Sequence, residues 1–139
     1  MKLQKMFNMV LACLLIISLA TPTHATEVNN FTLQSVSTSL VTPYASNSFT
    51  VNISAKTELS ADSSFSLSAG DKVTIQASYS PTSASVDFGL EDSSGTYYYF
   101  RATGGSINKT MEVPENGSYT LKIRNNSNTS VKVTGFVKY

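Results

Sequence analysis

Tryptophan is absent from this chain of 139 residues, and cysteine and histidine occur once each, at Cys13 and His24. A lone cysteine excludes a disulfide framework. Beyond Ala25 there is neither His nor Cys, so a Ser-His-Asp or Cys-His mechanism cannot be assembled there and the usual zinc ligands are missing. The chain is therefore expected not to be an enzyme. Charge is sparse too: ten Lys and Arg face nine Asp and Glu, and the net charge is +1. Charges so balanced and scattered give no electrostatic footprint for nucleic acid or an anionic membrane.

Long apolar runs are also lacking. Met9 to Ala20 is about a dozen residues, short of the roughly 18 that a membrane-spanning helix needs. Lys2 and Lys5 precede this run, and Thr21-Pro22-Thr23-His24-Ala25 follows it with a small-x-small ending. That is the pattern of a secretory signal peptide over residues 1–25. Cleavage after Ala20 would leave almost no polar spacer. Val10-Leu11-Ala12-Cys13 resembles a lipoprotein box, but here the apolar run follows the cysteine rather than preceding it. The expected product is secreted or cell-surface, with no membrane insertion after cleavage. Losing residues 1–25 leaves eight basic residues against nine acidic ones and a net charge of −1.

Residues 26–48 are rich in Ser, Thr and Asn. One short edge strand over Phe31 to Leu40, an extended leader, and a propeptide are all open readings. From 49 to 139 the pattern is that of a single β-domain. Phe49, Val51 and Ile53 alternate with polar residues, as do Phe65 and Leu67, and then Val73, Ile75, Ala77 and Tyr79. Val86, Phe88 and Leu90 alternate into Asp92-Ser93-Ser94-Gly95, and Thr96 to Phe100 resumes with high β propensity, so Val86 to Phe100 reads as a hairpin. Ile107, Lys109, Met111 and Val113 share one strand face, on which Lys109 marks an edge. Asn116-Gly117 is a turn into Tyr119, Leu121 and Ile123, and Asn125 to Ser130 is a polar loop. Val131 to Tyr139 forms a last strand, which leaves an edge open to assembly at the end of the chain. Seven or eight strands without a helical period predict an all-β, antiparallel β-sandwich of jelly-roll type.

Three stretches carry a family resemblance. Phe65-Ser66-Leu67-Ser68-Ala69-Gly70-Asp71-Lys72-Val73-Thr74-Ile75, Val86-Asp87-Phe88-Gly89-Leu90-Glu91-Asp92 with Gly95, and Pro114-Glu115-Asn116-Gly117-Ser118-Tyr119-Thr120-Leu121 resemble, in that order, the bacterial pre-peptidase C-terminal domain, over about residues 64–139. The resemblance implies a sandwich with an accessory role in folding, secretion or attachment to polymers such as collagen or cell-wall material. Calcium-binding relatives place acidic residues near an N-terminal linker, where this chain offers Glu58 and Asp62.

Carboxylates are the remaining source of chemistry. Glu91 with Asp92, and Glu112 with Glu115, are candidate pairs for a hydrolase, against the commoner role of solvated charges at loop ends. Adjacent strand residues such as Glu91 and Asp92 point to opposite faces, which suits catalysis badly. No cofactor is expected; if calcium binds, its oxygen ligands would come from Asp71, Asp87, Glu91 and Asp92. The most unusual composition is Tyr97-Tyr98-Tyr99-Phe100, whose alternation sends Tyr97 and Tyr99 to one face and Tyr98 and Phe100 to the other. An exposed pair could stack on sugar rings or enter a protein partner, whereas cross-strand packing is the plainer alternative. The function expected is a non-catalytic binding module for an extracellular polymer or protein ligand, with these four residues as the ligand-binding candidates. A secreted antimicrobial or toxin-like protein acting on neighbouring cells is the alternative. The sequence does not fix the oligomeric state.

Overall fold

A computed structural model describes residues 29–35 and 45–139; residues 1–28, with the signal peptide expected over 1–25, and residues 36–44 lie outside it. The described residues form ten strands: β1 (Asn29–Phe31), β2 (Gln34–Ser35), β3 (Ser46–Ile53), β4 (Glu58–Leu67), β5 (Lys72–Ser80), β6 (Ser85–Asp92), β7 (Tyr97–Thr103), β8 (Ser106–Glu112), β9 (Gly117–Asn125) and β10 (Val131–Lys138). Among them no helix is long and apolar enough to cross a membrane.

The strands make two five-stranded sheets, one ordered β1-β4-β9-β6-β7 and the other β2-β3-β10-β5-β8. Without β1 and β2, the order β4-β9-β6-β7 against β3-β10-β5-β8 is a jelly roll, the expected fold. Alternation is the physical cause: Val73, Ile75, Ala77 and Tyr79 of β5 and Val131, Val133 and Val137 of β10 turn inward, as do Val86, Phe88 and Leu90 of β6. Each such side chain contributes on the order of 1.5–3 kcal/mol when buried.

Two short strands stand in residues 29–35. Strand β1 pairs parallel with β4, and Phe31 is buried with its ring centroid 5.7 Å from that of Phe49. Strand β4 also begins earlier than Phe65, because its pairing with β9 shifts register between Ser60 and Ser64. Leu59, Ala61, Phe65 and Leu67 stay in phase and buried, but Asp62, Ser63 and Ser64 at the bulge are all exposed, and this polar run hides the strand in the sequence.

The last strand corrects one expectation. Strand β10 lies in the middle of its sheet, paired with β3 on one side and β5 on the other, so the end of the chain is not a free edge. The sheet ends nearest each other are instead β7 and β8. Lys109 does lie on an edge strand, β8, opposite Ile75.

Asn125, placed in a polar loop by the sequence, is the buried end of β9. Its side-chain amide donates to the carbonyls of Ile53, Ser54 and Thr129 at 3.2, 3.0 and 2.8 Å, and its oxygen accepts from the Ser127 backbone at 2.9 Å. It thus ties β3, β9 and the loop before β10 together. Asn125→Ala would orphan buried carbonyls and is expected to cost about 2–3 kcal/mol, lowering Tm by roughly 10 °C; thermal unfolding followed by circular dichroism checks this.

Candidate functional site

The outer face of the β1-β4-β9-β6-β7 sheet carries the densest chemistry, and the strand registers dictate its layout. One row runs Glu58, Arg124, Asp87, Arg101 across β4, β9, β6 and β7. The next runs Ser60, Lys122, Gly89, Tyr99, and the third Ser64, Thr120, Glu91, Tyr97. Charges of opposite sign therefore alternate across the first row, with the tyrosines gathered on β7.

Asp87 is the centre of this arrangement. Its side chain is 0% exposed. Arg101 donates to it from Nε at 2.8 Å and Nη2 at 3.1 Å, and Arg124 from Nε at 3.0 Å and Nη2 at 2.7 Å. Burial acts to raise the carboxyl pKa, but these hydrogen bonds outweigh it and hold the group below the ordinary carboxylate value. Lys122 bridges Glu58 and Glu91 in a second ion-pair set.

The two tyrosines lie over this network. Tyr97 donates its hydroxyl to the carbonyls of Lys122 and Asp87 at 2.9 and 3.2 Å, which fixes the ring across β6 and β9. Burial first, and the Asp87 charge second, raise the Tyr97 phenol well above its usual pKa. Tyr99 stacks on Tyr97 with centroids 5.0 Å apart and planes inclined by 21°. The Arg124 guanidinium stands 5.0 Å from the Tyr99 centroid and 5.3 Å from that of Tyr97. Tyr99 remains 45% exposed. Gly89 lets β7 approach, since a Cβ there would overlap the Tyr98 carbonyl oxygen and stand 2.7 Å from Tyr99 Cα.

Of the four aromatic candidates, Tyr97 and Tyr99 share this outer face. Tyr98 and Phe100 turn inward, opposite Leu90 and Phe88, and line a cavity of about 270 Å³ with Met111, Val113, Pro114 and Tyr119. The four residues thus form two surfaces. A larger, shallow groove of about 800 Å³ crosses the outer face of the other sheet past Gln76, Ser78, Asn108 and Thr134. Its one ring is Phe136, and it has nothing comparable to the buried ion-pair network.

The four carboxylates considered for calcium are not brought together. Asp87 is taken by two arginines and Glu91 by Lys122. Asp92 accepts from the backbone of Ser94 and Thr96, which shapes the hairpin turn, and Asp71 accepts from the backbone of Ser68. Among the described residues no group of three or more Asp, Glu, His or Cys is placed to hold a metal. Arg101, Lys122 and Arg124 were missed as site residues, and Asp87 was considered only as a calcium ligand. Their signal was a charged residue at the outward position of each strand, but linking them requires knowing that β6 lies between β7 and β9.

Neither a protein-family model nor a curated protein sequence matches the chain. Solved structures do resemble it. The Aeromonas hydrophila periplasmic inhibitor of g-type lysozyme is 12% identical over 78% of this chain and 96% of its own, with a TM-score of 0.48. The pre-peptidase C-terminal domain of Bacillus anthracis collagenase is 16% identical over 79% of this chain and 90% of its own, with a TM-score of 0.42. A carbohydrate-binding module of Cellvibrio mixtus lichenase 5A, in complex with cellotriose, is 17% identical over 75% of this chain and 85% of its own, at 0.39. The chain is thus similar in structure to the domain that its sequence resembles.

Asp87→Asn would leave two guanidinium groups facing a neutral amide. Breaking a buried pair costs about 3–5 kcal/mol, and solvent around the 53%-exposed Arg101 side chain places the loss near the lower value. Because folding depresses the Asp87 pKa, its stabilisation is present above the unfolded carboxyl value and is lost as pH falls through the folded one. The Tm difference between wild type and Asp87→Asn should be constant at neutral pH and shrink only in strong acid; calorimetry across pH measures it.

Proposed function

We propose that the protein is a non-catalytic binding module, secreted or at the cell surface, that holds a polymer or protein ligand on the outer face of the β6-β7 sheet. One observation carries this: Tyr99 is a large exposed ring whose position is fixed by stacking on Tyr97 and by Arg124. A ring held in place loses little conformational entropy on binding, which is what an aromatic anchor requires. Its flat face suits a sugar ring or an apolar group, and the flanking Arg101 and Arg124 suit hydroxyl and carbonyl acceptors. Network and platform form one unit, because Asp87 fixes the arginines and the arginines help fix the rings.

Co-sedimentation of the purified protein with whole cells, peptidoglycan, chitin, cellulose and collagen tests this reading. Pelleting with one of them is expected, and Tyr99→Ala should weaken it about fivefold to tenfold while leaving Tm nearly unchanged. Equal pelleting of wild type and Tyr99→Ala would remove the platform from the binding surface.

A further inference from the structure

The cavity of about 270 Å³ lies on the far side of β7 from the Tyr97–Tyr99 platform, between that strand and the turn joining β8 to β9. Tyr98, Phe100 and Tyr119 give it three aromatic rings, and Met111, Val113 and Pro114 add apolar wall. Its volume is at the small end for ligand pockets, enough for one compact group and too little for a polymer chain. Two of the rings are held by hydrogen bonds: Tyr119 donates to the Glu115 carbonyl at 2.9 Å, and Tyr98 to Asp92 Oδ2 at 3.4 Å.

The charged residues at this cavity are acidic. Glu112 is the one charged residue of the lining, Asp92 touches Tyr98, and Glu115 follows Pro114 and accepts from Tyr119 through its backbone. Among the described residues none of the three forms an ion pair, in contrast to Glu58, Asp87 and Glu91 on the platform. Asp92 Oδ1 accepts from the Ser94 hydroxyl and from the backbone of Thr96 and Ser94, which holds its carboxyl below the ordinary value and keeps it ionised. The negative potential reaches the rings: burial first, and the Asp92 and Glu115 charges after it, raise the Tyr98 phenol above its usual pKa. Lys72 stands opposite Glu112 in the β5–β8 register, and Lys109 lies two residues before Met111, but neither lines the cavity.

Aromatic faces and unpaired carboxylates both attract a cation, and the apolar wall selects among cations. A primary ammonium is strongly hydrated and loses that hydration on entering. An alkylated ammonium carries its charge under apolar methyl groups, which the rings and Met111 can cover. We infer that this cavity binds a small organic cation, an alkylated ammonium whose methyl groups fill the space between Tyr98, Phe100 and Tyr119 while its charge faces Asp92 and Glu115. The site is separate from the platform and stands whatever the platform holds.

A nuclear magnetic resonance titration of the isotope-labelled protein tests it, with choline, with dimethylbutanol as the uncharged carbon isostere of choline, and with n-butylammonium as a primary ammonium. Choline is expected to shift the methyl signals of Met111 and Val113 and the ring signals of Tyr98, Phe100 and Tyr119, and to bind about tenfold more tightly than either control. Glu115→Gln, at an exposed position, and Asp92→Asn, which keeps the acceptor that shapes the turn, should each weaken choline about threefold and leave dimethylbutanol unchanged. Tyr98→Leu should weaken choline about tenfold; if that variant does not fold, the two carboxylate variants decide. No shift at the cavity with tens of millimolar choline, equal binding of choline and either control, or shifts centred on Tyr97 and Tyr99 instead would overturn the proposal.

Discussion

A carboxylate withdrawn from water costs several kcal/mol unless its partners are well placed. Asp87 meets that cost with four hydrogen bonds from two arginines that come from different strands, one on each side of β6. Those bonds fix the two guanidinium groups, and the groups in turn bound the space in which the Tyr97 and Tyr99 rings lie. Tyr97 adds two hydrogen bonds to backbone carbonyls, so the lower ring is held by the sheet itself. The exposed ring is thus the outermost layer of a structure built upward from one buried charge. Gly89 completes it by letting β7 lie close against β6.

The sandwich and its most regular hairpin were legible because both depend on local alternation. Val86, Phe88 and Leu90, then Tyr98 and Phe100, fell on the faces that their spacing implied, and the Asp92 turn formed where its side chain could accept from Ser94 and Thr96. The Tyr97–Tyr99 pair was legible for the same reason. The role of Asp87 was not: flanked by Val86 and Phe88 it reads as an outward acidic residue, and nothing local says that two arginines from β7 and β9 converge on it. A jelly roll places β9 beside β6 although the chain passes through β7 and β8 between them, and that neighbour relation is a property of topology rather than of spacing. Strand β1 was hidden for another reason: three residues are too few to show a period, and its burial depends on the partner strand β4.

The two outer faces of the sandwich follow from the same alternation but differ in character. The β3-β10-β5-β8 sheet presents mainly hydroxyls and amides, with threonines bonding across strands at Thr50–Thr134 and Thr74–Thr110. Such a face meets its polar needs within itself. The β6-β7 face meets its polar needs by burying charge, and in doing so holds a large ring in solvent. That contrast, rather than the size of either concavity, is the reason the binding role is proposed for the β6-β7 face.

The most direct measurement is a nuclear magnetic resonance titration of the isotope-labelled protein with soluble fragments of whichever polymer pellets it. Shifts centred on Tyr97, Tyr99, Arg101, Lys122 and Arg124 are predicted, with the outer residues of β3, β5 and β10 unmoved. Shifts confined to Gln76, Ser78, Thr134 and Phe136 would place the ligand on the opposite sheet and contradict the assignment of the binding face.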